Sequence, residues 1–179
     1  LPLVQSTHLS SFGVLVHDWD HNGAVDLWLT RSGEDLNQQR RSRARWESII
    51  FSYDESRKAF APCQWNQAPR ARANRSLIKG DINNDGLTDT VASGLFESLQ
   101  VSINQTPTPG HYLRFELIGK DSRRDAVGAQ IRVETSQHSY LGRLSIHESY
   151  LGCNQNIIEV GLGDASEATQ IEIRWPDQT

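Results

Sequence analysis

The 179-residue sequence predicts an all-β protein in two parts: a strand–loop–strand repeat, then a small antiparallel sandwich or barrel. Three observations predict it. Apolar and polar residues alternate with period two through Ala129-Gln130-Ile131-Arg132-Val133-Glu134-Thr135 and again through Thr169–Trp175, as in a strand with one buried and one wet face. A nine-residue acidic turn occurs twice, each time between runs rich in β-branched and aromatic residues. Thr106-Pro107-Thr108-Pro109-Gly110 opposes both helix and inner strand, and divides residues 1–106 from 111–179, with 107–110 as the linker.

Composition bounds the function. A hydrophobic fraction of 37% with five Trp suffices for real cores, and the mixed charges exclude global disorder. The net charge of −4 names no partner. No apolar run approaches the roughly 18 residues that span a bilayer. The opening Leu1-Pro2-Leu3-Val4 and the lack of any Met read as a mature or excised piece of a longer chain. Cys63 and Cys153 have no CxxC or Cys/His spacing around them, which removes zinc and thioredoxin-like readings. Either both are buried thiols or they form one long-range bridge.

The acidic turns carry the chemistry. In Asp81-Ile82-Asn83-Asn84-Asp85-Gly86-Leu87-Thr88-Asp89, oxygen-bearing side chains fall at positions one, three, five and nine, with glycine at six. Ca²⁺ is a hard cation that takes six to eight oxygens at about 2.3–2.6 Å. A short turn delivers that many only if alternate side chains point inward and the chain reverses sharply, which glycine permits through positive φ. Leu87, at position seven, offers only its carbonyl. Asp18-Trp19-Asp20-His21-Asn22-Gly23-Ala24-Val25-Asp26 repeats this architecture 63 residues earlier without a gap. Asp18, Asp20, Asn22 and Asp26 match Asp81, Asn83, Asp85 and Asp89, and Ala24 takes the place of Leu87. Each loop holds three carboxylates and one amide, so a bound Ca²⁺ leaves a formal charge of −1. Two Ca²⁺ sites are expected.

An EF-hand needs a bidentate Glu at position twelve, where this chain has Leu29 and Ala92, and helices on both sides. The flanks instead read as strands: Phe12–Val16 and Val25–Thr30 around the first loop, Leu77–Lys79 and Thr88–Ser93 around the second. Trp46–Tyr53 and Lys58–Trp65 read as two further strands, the latter an edge strand because of Pro62.

These residues resemble the FG-GAP/VCBS repeats of integrin-like β-propellers, in which an acidic D-x-[DN]-x-[DN]-G-x-x-D loop joins two strands of each blade. Phe12-Gly13 matches the first half of the family name; Gly-Ala-Pro is missing. The resemblance covers residues 1–106 and implies a partial β-propeller of about one and a half blades, with the acidic side chains of both loops as calcium ligands. Propellers close with roughly four to eight blades, so either the chain is a fragment or another chain completes the ring.

Beyond the linker, His111–Ile118, Ser139–Ile146 and Ile157–Val160 add strands to the two alternating runs. Tyr112-Leu113, Arg124-Asp125-Ala126-Val127-Gly128-Ala129, Ser149-Tyr150-Leu151, Gly161-Leu162-Gly163 and Arg174-Trp175-Pro176 resemble the ASPIC/UnbV domain, which commonly follows VCBS repeats in secreted proteins.

Catalytic patterns are weak. His17 and His21 lie i, i+4 beside an acidic loop, a zinc spacing on a helix but not on a hairpin. Ser145, His147 and Glu148 lack a nucleophile elbow. Gly161-Leu162-Gly163-Asp164 lacks the third glycine and following helix of a dinucleotide site, and reads as a turn. Half of the eighteen Lys/Arg lie within residues 40–75, densest at Arg40, Arg41, Arg43 and Arg45. That loop is either a patch for an anionic ligand or a solvated insertion, and nothing there marks nucleic-acid binding. Asn74 and Asn104 head N-x-S/T sequons, of weight only in a glycosylating host.

The expectation is a non-catalytic, calcium-binding extracellular or periplasmic module for protein–protein or cell-surface interaction, its calcium structural. The alternative is an accessory subunit that docks on a larger enzyme or electron-transfer assembly.

Overall fold

Twelve strands, all paired antiparallel, and no helix make up the described residues of a computed structural model, namely 11–30, 48–63, 74–94, 98–107, 109–121 and 123–177. Among them no helix is long and apolar enough to cross a membrane. The chain divides into two units that interleave in sequence. One holds Leu1–His17, Val25–Gln105 and His147–Cys153; the other holds Asp18–Ala24, Thr106–Ile146 and Asn154–Thr179.

In the first unit, β1 (Val14–His17), β2 (Asp26–Leu29), β3 (Ile49–Asp54) and β4 (Ala59–Cys63) form a meander in chain order. Period-two burial explains β1: Leu15 and His17 are buried while Val14 and Val16 face out. Trp28 and Ile50, buried on β2 and β3, lie opposite each other in register. Pro62, which has no N–H to give, sits on the outer strand β4 opposite Phe51. Asp54 ends β3, and its Oδ1 accepts hydrogen bonds from Ser56 N (3.0 Å), Ser56 Oγ (2.6 Å) and Arg57 N (3.1 Å).

A second sheet joins β5 (Asn74–Gly80), β6 (Asp89–Gly94) and β7 (Gln100–Ser102), with Leu77 and Ala92 paired and fully buried. The segment 147–153 lies on β5. Glu148 pairs with Lys79 at 2.7 Å, Ser149 Oγ accepts Leu77 N at 3.3 Å, and a Cβ on Gly152 would meet Leu77 O at 2.9 Å.

In the second unit β8 (His111–Phe115) pairs with β11 (Ile158–Gly163), while β9 (Gln130–Glu134) lies between β10 (Ser139–Arg143) and β12 (Gln170–Arg174). Its core gathers Leu117, Ile131, Val133, Leu144, Ile158, Val160 and Leu162. Alternation places Ile131 and Val133 inside and Arg132 outside on β9. On β12 the same alternation buries less: Ile173 is half-buried and Ile171 is 46% exposed.

Two readings change. Gly161-Leu162-Gly163 is the end of β11 and not a turn; a register shift between Gly161 and Gly163 and a φ of 60° at Gly163 bend the strand there. Both cysteines are free, Cys63 half-buried and Cys153 exposed, so neither the bridge nor the pair of buried thiols is formed. The arginines Arg40–Arg45 lie outside the described residues, as do Trp46, Glu47, Gln64 and Trp65 at the ends of two predicted strands.

Candidate metal centre

Both acidic loops close antiparallel hairpins at the same register. The last pair before the first loop is His17↔Asp26, and before the second it is Gly80↔Asp89, each 63 residues on. Inside the loops the backbone follows the same path. Position four is left-handed, with φ of 57° at both His21 and Asn84, and position six is too, with 88° at Gly23 and 91° at Gly86. A side chain is strained there, which explains glycine at six.

The hydrogen bonds repeat as well. Asp18 Oδ1 accepts Asn22 N at 3.1 Å and Oδ2 accepts Gly23 N at 2.8 Å; Asp81 accepts Asp85 N and Gly86 N, both at 3.1 Å. Position three accepts position five, Asp20 from Asn22 and Asn83 from Asp85, both at 3.2 Å. Position five accepts position seven, Asn22 from Ala24 and Asp85 from Leu87, both at 2.8 Å. These bonds turn the acidic oxygens toward the inside of the turn. A carboxylate has about four lone-pair sites, so two N–H donors leave it room to ligate.

The donor set fits a hard cation. In the first loop Asp18, Asp20 and Asp26 each bring one carboxylate oxygen within 4.8 Å of the others. Asp18 and Asp26 are buried and Asp20 is half-buried. Converging carboxylates repel unless a cation or a proton lies between them, so the arrangement suits an oxygen-seeking metal. Asn22 and the Ala24 carbonyl are the remaining donors of the predicted set. In the second loop Asp89 is buried and accepts Ile82 N (2.9 Å) and Asn104 N (2.8 Å), while Asn83 Nδ2 donates to Asp85 Oδ2 at 2.8 Å. Asp81 and the Leu87 backbone share that turn; Asn83 and Asp85 are exposed. The three-carboxylate convergence is met, among the described residues, at the first loop.

The two loops differ in surroundings. Residues Asp18–Ala24 belong to the second unit. There Gly110 N donates to Asp20 O at 2.9 Å and Gly163 N to His21 O at 3.0 Å. His21 is fully buried, stacks on Tyr112 at 4.2 Å between ring centroids, and meets Glu159 Oε1 through Nε2 at 2.8 Å. Arg114 donates to the other Glu159 oxygen through Nε (3.0 Å) and a terminal guanidinium nitrogen (2.8 Å). Tyr140 lies over Gly23, where a Cβ would meet its hydroxyl at 2.8 Å. Burial first, and the Asp18 carboxylate second, push the Tyr140 phenol above its usual range.

This environment was not legible in sequence. Glu159, Gly161, Arg114 and Tyr140 carry no motif that points to residues 18–24; only the Gly161-Leu162-Gly163 run stood out, and it read as a turn. His21, set aside as a zinc ligand, is engaged with Glu159. Of the residues weighed for catalysis, Glu148 pairs with Lys79, and His147 Nδ1 lies 3.3 Å from Cys153 Sγ. The sequon side chains Asn74 and Asn104 are both buried.

Comparison with known proteins gives one family. Residues 119–179, the C-terminal third, match the family model described as ASPIC and UnbV. No curated protein matches the chain.

Proposed function

We propose that the chain is a non-catalytic, calcium-stabilised module that mediates protein–protein or cell-surface contacts in an extracellular or periplasmic setting. In this reading the β1–β2 and β5–β6 hairpins belong to two successive blades of the FG-GAP/VCBS type, followed by the ASPIC/UnbV stretch. The observation that carries it is the repetition of one turn, with the same left-handed positions and the same hydrogen bonds, at two hairpins 63 residues apart.

Calcium's role here is structural. Each ion offsets three carboxylates held in one turn and ties the two strands of its hairpin together. Millimolar extracellular calcium fills even modest sites of this kind, whereas cytosolic levels demand far higher affinity, which favours a location outside the cytosol. A ligand that binds the folded chain alone raises its stability in proportion to the logarithm of its concentration over Kd. Thermal unfolding is therefore expected to shift upward with Ca²⁺ and back with EDTA, and Asp85→Ala is expected to reduce the shift. A melting temperature indifferent to Ca²⁺ would sink the reading.

A further inference from the structure

Strand β11 has a feature that its own pairing does not require. At Gly161 the space a Cβ would fill is taken by the Asp18 carboxylate: the atom would lie 1.9 Å from Oδ2 and 2.9 Å from Cγ. At Gly163, with φ of 60°, it would lie 2.9 Å from Asn22 O. On the same strand, Glu159 meets His21 with one oxygen and accepts from Arg114 of β8 with the other. The loop thus touches β11 at position one through a ligand carboxylate, at position four through a buried imidazole, and at position five through a carbonyl. The second loop differs in kind: its position-four residue, Asn84, is exposed, and so are Asn83 and Asp85.

We propose that β11 is the receiving surface for the first acidic loop in its cation-holding shape, with Gly161 and Glu159 as positioning residues for that metal site. The inference rests on the calcium reading above and deepens it. The backbone of β11 sets where the Asp18 oxygens stand. A divalent cation at the first loop needs those oxygens converged with that of Asp20. Cation and strand therefore stabilise each other, and by linkage the effect is reciprocal. The first site is thereby coupled to the folding of the C-terminal β-structure; the second, where Asn83, Asn84 and Asp85 are exposed, is its internal comparison.

Calorimetric titration of the full chain with Ca²⁺ alone tests this. In an Asp85→Ala background, which leaves the first site, adding Gly161→Ala is expected to weaken Ca²⁺ binding by about tenfold or more, within the usual range of site-to-site coupling. In an Asp20→Ala background, Gly161→Ala is expected to leave the remaining site unchanged. Should Gly161→Ala prevent folding, amide hydrogen exchange on His21→Ala gives a second route. Asn84→Ala is its strain-matched control, since both place alanine at a φ of 57°. EDTA is expected to lower protection of the β11 amides by about tenfold or more in the unaltered chain and in Asn84→Ala, and to have no such effect in His21→Ala. Two calcium sites that both ignore Gly161→Ala, or β11 protection that ignores EDTA in the unaltered chain, overturn the inference and leave the calcium reading standing. Absence of any Ca²⁺ binding overturns both.

Discussion

Gly86 closes the second acidic loop with φ of 91°, where an L side chain meets its own backbone. Gly86→Ala is expected to lower the stability of the chain by about 1–3 kcal/mol, read as a shift in the urea midpoint. Asp54 shows the opposite kind of local device, a side chain that satisfies the backbone of its own turn. The Ser56 hydroxyl first, and the Arg57 backbone N–H next, hold its carboxyl below the ordinary value of 3.8. A depressed folded-state pKa adds stability above the unfolded value and loses it as pH falls through the folded one. Titration by carbon-detected NMR is expected to give Asp54 a midpoint under 3.8, and Ser56→Ala to move it back up. These devices were legible in sequence at Gly86, where a nine-residue spacing demanded a glycine, but not at Asp54, where Asp-x-Ser is too common to stand out.

At the scale of the element, alternation decides which strand exists and tertiary neighbours decide what it buries. Strands β9 and β12 have equally regular sequences, yet Ile131 is fully buried and Ile171 is 46% exposed. The difference lies in position: β9 is paired on both sides, whereas β12 has β9 on one side alone. Ile131→Ala is expected to cost about 2–5 kcal/mol, because it empties a packed site, and Ile171→Ala to stay within about 0.5 kcal/mol. Equal losses in chemical denaturation would contradict this. The predicted strands flanking both acidic loops are present because β-branched runs and a turn of fixed spacing are local properties. The β11 terminus was misread for the converse reason. Its glycines do not bend a loop; they admit a carboxylate and a carbonyl from far away in the chain.

For the molecule as a whole, the two acidic turns set the expected stoichiometry. Native mass spectrometry in calcium is expected to show two metal adducts on the full chain, one on Asp85→Ala, and none after EDTA; a chain without adducts would speak against both sites. By itself the sequence determined the all-β class, the two acidic turns and the order of their oxygen-bearing residues, since period-two alternation and an Asp-x-Asp/Asn-x-Asn/Asp-Gly spacing act within a few residues. Only the tertiary structure decided that the two turns are unlike. The first is gathered into the C-terminal β-structure by a His21–Glu159 contact across 138 residues of chain, while in the second Ile82, Asn83, Asn84 and Asp85 are exposed. The physical reason is range: a turn's hydrogen bonds are written in its own nine residues, but what occupies the space beside Gly161 depends on the path of the whole chain.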